Sequence, residues 1–336
     1  MTATESQGKT TLNSMYAQWN LLPLDSLGAL RVRGRDARAF LQGQLSNDLT
    51  RLDAERSLLA GYHNPQGRVL ALLRLLESAP GEVLAILPRE LVRPVVSRLG
   101  SFILRSKVEL ADVSAAWRVE GLVGPDAPEP QSPAAGVAPL APPFATRLPR
   151  AAGTVARLGD SFALQVGERP GRWLIISPAA GPDREPALAG CERALPELWQ
   201  RLAVENGEPQ VYAATSGEFV AQMLNLDVLG AIAFDKGCYT GQEVIARAHY
   251  RGRVKRRLQR FRTTAPLPLA PGDAGELADG RAFRIVEAAR HADGSSEFLA
   301  VAPLPGAEAR AEQAPAPASA PRLDAAQLPL PYQLPE

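Results

Sequence analysis

Cysteine, histidine and methionine are scarce in this 336-residue chain, at two, three and three residues. Two cysteines, Cys191 and Cys238, cannot form a disulfide framework, and no CxxC pair or Cys/His cluster offers a metal site. The histidines (His63, His249, His291) lie far apart in sequence, which argues against a zinc site made by this chain alone. Neither sign of charge dominates: 37 Lys+Arg against 36 Asp+Glu leave +1. No global field therefore draws the chain onto nucleic acid or a membrane, and such binding would need a local patch. The longest apolar run, Val69 to Leu76, is interrupted by Arg74 and is too short to span a bilayer. Met1 to Thr11 is polar, without the apolar centre or small-residue cleavage site of a signal peptide. The expectation is a soluble, cytoplasmic protein with no membrane contact and no resident metal.

Proline is abundant instead, at 30 residues, and its clusters mark boundaries. Eight prolines between Pro125 and Pro149 forbid regular structure and predict an exposed connection. A second Ala/Pro-rich stretch covers 306–321. With 46% hydrophobic and 22% charged residues the rest is globular, and its length allows two or three domains. Alternation predicts a strand over Ala29–Arg33, and Asp36 is placed to cap a short helix through Phe40 and Leu41. Buried strands are expected at Val69–Leu76 and Glu82–Leu87, and an amphipathic helix at Leu91–Leu99. A helix over Leu195–Asn206 should stop at Gly207, the usual left-handed exit. From Lys255 onward the pattern is strand and turn. Short strands with segregated helices make this an α+β chain with an all-β piece at its end.

The densest chemistry lies in Phe234-Asp235-Lys236-Gly237-Cys238-Tyr239-Thr240-Gly241-Gln242-Glu243. Thr240 and Glu243 have capping-box spacing, and Tyr239 and Val244 fall at staple positions. This predicts a helix from Gly241 that leaves Cys238 just outside its positive end. That end and Lys236 would together favour thiolate. The other reading of Cys238 is a small buried apolar residue. Downstream, eight Lys/Arg lie between Arg247 and Arg262. Such a run is a solvated face or, in a strand with alternating sides, one wall of an anion-binding groove. Aromatic interleaving is thin (Tyr250, Phe261), so stacking on single-stranded nucleic acid has little support.

The run Lys236 to Glu243, continued by Ala246-Arg247, Arg251-Gly252 and Lys255-Arg256, resembles the signature of the YgfZ family of folate-binding proteins. Gln222, Asn225-Leu226, Gly34-Arg35-Asp36, Phe40 to Gln44, Asn47-Asp48, Gly67-Arg68, Ser106 to Val108 and Leu330-Pro331-Tyr332 are similar too. The resemblance covers roughly residues 22–305 and the last dozen. It implies a T-protein-like α+β fold, related to glycine-cleavage aminomethyltransferase. Two α+β subdomains and a small C-terminal β-barrel would surround a central cavity for tetrahydrofolate. On this chain the parts become a flexible lead (1–20) and a folate-binding region (21–252). That region divides into subdomains near 21–115 and 150–252, joined by the proline-rich 125–149. A barrel region (253–336) contains the 306–321 linker.

The family also implies a role in maintaining iron–sulfur enzymes, including those that modify tRNA, that leans on Cys238. A monomeric accessory protein is expected, and because one cysteine cannot hold a cluster alone, its contact with client proteins should be transient. Lys236 would assist the thiol or hold an anion. Trp199 is either a core aromatic or, since the family has a tryptophan against the folate at this place, a stacking face for the ring, and Leu27 falls where a second aromatic is expected. Leu27 leaves an apolar wall without a stacking face. Asn225 could read a pterin amide edge or cap the chain locally. Gln242 and Tyr239 complete the expected folate-side set. The alternative activity is folate-dependent aminomethyl transfer, which needs a carboxylate at the position occupied here by Arg68-Val69-Leu70-Ala71. A third reading, RNA binding through Arg247–Arg262, requires affinity that falls steeply with salt.

Overall fold

The computed structural model describes residues 18–124, 145–180, 191–250, 252, 254–265, 268–305 and 321–335. Nearly all of the polar lead, and most of the proline-rich connection and the 306–321 linker, lie outside these residues, as do Arg251 and Arg253.

Three sheets form the molecule. The first runs in spatial order Leu58–His63, Val69–Ala79, Glu82–Pro88, Leu27–Arg33 and Glu109–Asp112, all antiparallel. Helices Ala37–Gln42 (α1) and Arg89–Gly100 (α2) accompany it. Asp36 does not cap α1 with its side chain; its carboxylate accepts from the Lys107 amide at 2.7 Å and holds the neighbouring strand instead.

The second sheet places Glu192–Arg193, Asn20–Pro23, Trp117–Val123, Gly171–Pro178, Ser161–Glu168 and Val155–Leu158 side by side. Its composition differs from a simple split near residue 115. Asn20–Pro23 and Trp117–Val123 pair with each other and so belong to the second sheet. Residues 204–245 contribute Val211, Phe219, Leu224, Leu226, Tyr239 and Ile245 to the core beneath the first sheet. Sequence proximity to the second sheet does not decide where that segment packs; its buried apolar side chains do.

The first two sheets meet face to face through Leu76, Leu84 and Ile86 on one side and Phe162, Leu164, Leu174 and Ile176 on the other. Strand periodicity makes this possible. In Val69–Ala79, Ala71, Leu73 and Leu75 point into the first core, while Arg74 and Leu76 point toward the second sheet.

The third sheet has the order Arg322–Leu323, Ala274–Leu277, Ala282–Arg290, Ser296–Pro303, Arg256–Thr263, Ala326–Leu328. Its two edge strands are joined only by Asp324 and Ala325. A flat sheet of this width would separate its edges by about 24 Å, and a connection that short reaches only about 10 Å. The sheet therefore curls into a half-barrel around Phe261, Phe283, Ile285 and Phe298. The α+β class expected from the sequence is the one observed, with an all-β C-terminal unit. No helix among the described residues is long and apolar enough to cross a membrane.

Candidate functional site

A cavity of about 380 Å³ opens where the three sheets converge. One face of helix Glu197–Glu205 (α3) forms a wall, through Trp199, Gln200 and Ala203 with Pro196 just ahead of them. That spacing is one helical stripe, while Leu198 and Leu202 turn to the core. The helix ends as the sequence requires. Gly207 takes φ 64, its amide donates to Val204 O at 3.1 Å, and the Glu208 amide donates to Ala203 O at 2.9 Å. This paired closure fixes Glu208 on the cavity wall directly after the turn.

Trp199 and Leu27 both line the cavity. The indole lies against the backbone of Gly121, where an added Cβ would come within 2.5 Å of Trp199 Cε3. Gly121 is thus the bed of the ring, and only glycine leaves room for it. Beneath the indole, the Arg172 guanidinium carbon is 5.7 Å from the ring centroid. Arg172 is fully buried and grips Glu208 with both arms, at 3.1 and 2.5 Å.

Two more charged groups face the same space. Arg74 comes from the middle of the apolar strand, and Glu287 from the third sheet. A β-bulge between Ile285 and Glu287 explains the second placement. Regular alternation would send Glu287 into the half-barrel beside Phe283 and Ile285. The extra residue, Val286, reverses the phase, so Glu287 and Ala289 face inward to the molecule and Ala288 faces the half-barrel. Glu287 accepts from the Tyr212 hydroxyl at 2.5 Å. Burial pushes its carboxyl up to about 7, partly offset by that hydroxyl and by the Ala288 amide. Burial and the nearby Glu287 charge raise Tyr212 well above a free phenol.

The signature loop sits beside this cavity but does not line it. Cys238 is exposed, which removes the buried-core reading of this thiol. Lys236 does not serve as the thiol's partner: its ammonium donates to the carbonyls of Gln42 (2.7 Å), Leu45 (2.6 Å) and Asn47 (2.9 Å). Three donors meet three acceptors, and the ammonium also lies 5.0 Å from the Tyr239 ring centroid. Burial pushes Lys236 down to about 8, with the Asp48 carboxylate opposing. Asn47 continues the link inward, donating to Leu59 O and Gly230 O at 2.7 and 2.8 Å, and all three residues line the cavity. Lys236 therefore clips the signature loop to the cavity wall. Lys236→Met should cost on the order of 2–3 kcal/mol by stranding these carbonyls. Urea unfolding measures it, and a loss below about 0.5 kcal/mol would discard the clip.

The capping box is not formed. The helix starts one residue later, at Gln242 (α4, Gln242–Tyr250), because Gly241 adopts φ 83, outside helical geometry. Gly241 is needed for another reason: an added Cβ would lie 2.5 Å from Asn64 O and 3.0 Å from Gly67 Cα. Two glycine turns abut there. Glu243 turns along its own helix to Arg247 at 3.1 Å, an exposed i,i+4 pair. Val244 is exposed, while Tyr239 packs inward with its ring centroid 6.1 Å from that of His63, so the staple is absent too.

Asn225 is fully buried away from the cavity. Its amide donates to Leu258 O (3.0 Å) and Tyr332 Oη (3.3 Å), and its carbonyl accepts from Arg257 at 3.3 Å. With φ 56 it is a left-handed corner held by its own side chain, which matches the local-capping alternative. Gln242 is partly buried at the first turn of α4, apart from the cavity. Of the seven residues singled out from sequence, the cavity gathers Trp199 and Leu27. The signature loop and the α4 start gather Lys236, Cys238, Tyr239 and Gln242.

Among the described residues of the basic run, several cations pair with carboxylates, beginning with Arg247 on Glu243. Arg257 pairs with Asp227 at 2.9 Å, Arg260 with Glu297 at 2.5 Å and Arg262 with Asp293 at 2.8 Å. Phe261 is buried in the half-barrel, stacked near Phe298. Tyr250 is exposed, edge-on to Phe234 and His249. Cys191 is half-buried beside the second sheet, its thiol pushed up to about 11 by burial and by Glu120.

Three sheets around a central cavity define the aminomethyltransferase T class of fold. The glycine cleavage system aminomethyltransferase T from Bartonella henselae superposes with a TM-score of 0.64, covering 87% of this chain and 81% of that one at 13% identity. No protein-family model matches the chain. In sequence it is similar to the tRNA-modifying protein YgfZ of Edwardsiella ictaluri (strain 93-146), with 33% identity over 289 residues, 84% of this chain and 83% of the relative. The Klebsiella pneumoniae (strain 342) protein of the same name is 34% identical over 270 residues, 79% of this chain and 78% of its own. The chain belongs to the YgfZ family.

Proposed function

We propose that this protein binds a reduced folate in the central cavity. Through Cys238, it would support the iron–sulfur enzymes that modify tRNA. The observation that carries the first half is Trp199, an indole held against Gly121 on the wall of a cavity of about 380 Å³. That volume lies in the range of small-molecule sites, and an aromatic wall with a few polar groups suits a flat, hydrogen-bonding ring. Reduced folate would supply the pterin for that wall; the chain's own residues would bind and orient it. The second half rests on the exposed Cys238 within the family signature and on relatives named tRNA-modifying proteins. A single thiol cannot hold a cluster, and among the described residues no group of three His, Cys, Asp or Glu is arranged for a metal. Cluster contact is therefore shared with a client protein.

In cells lacking their own YgfZ protein, this chain should restore tRNA modification, and Cys238→Ala should not. That variant should keep its fold and bind 5-formyltetrahydrofolate within about twofold of wild type, since truncating an exposed side chain has little energetic effect. Loss of folate affinity in Cys238→Ala would mean the thiol is a packing residue. Gly121→Val and Trp199→Ala should each weaken folate binding about tenfold or more, because losing an aromatic stack is worth about 1–3 kcal/mol. Unchanged affinity in both variants would remove the indole from the site.

A second reading, one-carbon transfer from folate, has one observation in its favour. Val69 and Ala71 are buried apolar residues, so no acid stands where the transferases need one, but Glu287 reaches the cavity from the third sheet. With its carboxyl held near neutrality it has the acidity of a proton carrier. Turnover of methylene-tetrahydrofolate with an acceptor, abolished in Glu287→Gln, would favour this reading over the first.

A further inference from the structure

Arg74 occupies the cavity wall and forms no hydrogen bond or ion pair among the described residues. Its position is unusual for an arginine. It stands in the centre of Val69–Ala79, flanked by buried Leu73 and Leu75, with its guanidinium directed into the space shared by the first two sheets. The charged groups that act on it are Glu208, which favours its charge, and Arg172, which opposes it. Glu208 is already engaged by both arms of the fully buried Arg172, so its charge is locally matched. Arg74, Arg172 and Glu208 together carry one uncompensated positive charge. A guanidinium in a largely apolar wall, with five donors and no acceptor, is costly unless something else fills that role.

We infer that Arg74 is the receptor for an ionised oxyanion, a carboxylate or a phosphate, carried by the ligand of the central cavity. Arg172 supports it by keeping Glu208 from closing onto Arg74 in the ligand's place. A planar fork of parallel N–H donors matches either oxyanion, and a monoanion brings the charge of this cluster to zero. The inference rests on the reduced-folate reading for the ring that accompanies the anion. It adds that an acidic group enters the cavity with that ring rather than remaining outside in water.

The test is calorimetric binding by the full chain and its Arg74→Gln variant. Four probes are used: 5-formyltetrahydrofolate, 6-methyltetrahydropterin (the ring without an acid), 4-aminobenzoylglutamate (the acid without the pterin) and inorganic phosphate. Arg74→Gln should weaken 5-formyltetrahydrofolate by about 10- to 100-fold, the scale of a lost charge-assisted pair, and leave the neutral pterin within about twofold. A parallel loss for 4-aminobenzoylglutamate assigns the anion to a carboxylate; a loss for phosphate assigns it to a phosphate. Arg74→Met keeps the aliphatic stem and gives the same reading if the glutamine variant fails to fold. The inference is overturned if the variant binds the anionic probes as wild type does, if the neutral pterin weakens equally, or if wild type binds no anionic probe. Wild type that binds either small anion but neither pterin compound would overturn the folate reading and leave this one standing.

Discussion

Asp227→Ala is expected to destabilise the protein by about 3–5 kcal/mol, the usual consequence of stranding one partner of a buried ion pair. Asp227 and Arg257 have side-chain exposures of 6% and 5% and meet through two parallel bonds of 3.0 and 2.9 Å. The same guanidinium donates to Gln222 O at 3.1 Å and to the Asn225 carbonyl oxygen. Gln222 in turn donates to Ile245 O in α4 at 2.7 Å, and Tyr332 donates to Gly207 O at 2.7 Å. Removing the carboxylate leaves a buried charge at the junction of the third sheet, α4 and the C-terminal segment. Replacing both residues by apolar ones of similar volume should cost far less, since no unpaired charge remains. Urea unfolding of the single and double variants measures the difference. A single-variant loss below about 1 kcal/mol would show that water reaches Arg257 and that the network is not closed.

Acid should destabilise the core behind the signature loop through one residue, His63. Its ring is fully buried, and neither nitrogen has a well-formed hydrogen bond among the described residues. Burial lowers it from 6.5 to about 3, offset only in part by the Gly61 backbone. Above pH 6.5 the ring is neutral folded and unfolded, so it contributes nothing to the pH dependence. As pH falls from 6.5 toward 3, the unfolded chain takes up a proton that the folded one refuses. Stability then drops by about 2 kcal/mol at pH 5 and on the order of 5 kcal/mol below pH 3. His63→Leu removes this dependence. The stability gap between wild type and variant should therefore shift by about 2 kcal/mol in the variant's favour between pH 7.5 and pH 5. Parallel pH profiles would show that the ring is protonated in the folded state. The effect concerns the site because His63 packs against Tyr239, which anchors the loop bearing Cys238.

Local sequence signals match the structure where neighbours within a few residues settle the outcome. The stop of α3 at Gly207 depends only on a left-handed turn that glycine adopts freely. Where two local solutions have similar energy, the pattern misled. Thr240 and Glu243 fit a capping box, yet Glu243 has an equally near partner in Arg247. Meanwhile Gly241 is held out of the helix by its approach to Gly67. The charge run from Arg247 to Arg262 suggested a free basic face because its acidic partners, Asp227, Asp293 and Glu297, come from other segments. Two site residues left faint marks: Arg74 is the single charge in the longest apolar run, and Gly121 is a glycine inside a strand. Glu287 left none, since the bulge that turns it inward is a property of strand pairing.

The amino-acid order alone therefore determined the α+β class, the glycine stop of α3 at Gly207, the family signature around Cys238 and the tryptophan on α3. Each of these depends on short-range periodicity, turn chemistry or motif identity. Only the tertiary structure decided which side chains share the cavity, that Lys236 serves the backbone instead of the thiol, and that Arg74 stands there without a partner. Those outcomes follow from three sheets converging, which brings residues 27, 74, 199, 208 and 287 to one space. Burial, pairing and charge compensation are set by what surrounds a side chain in space, and chain order specifies that only through the completed fold.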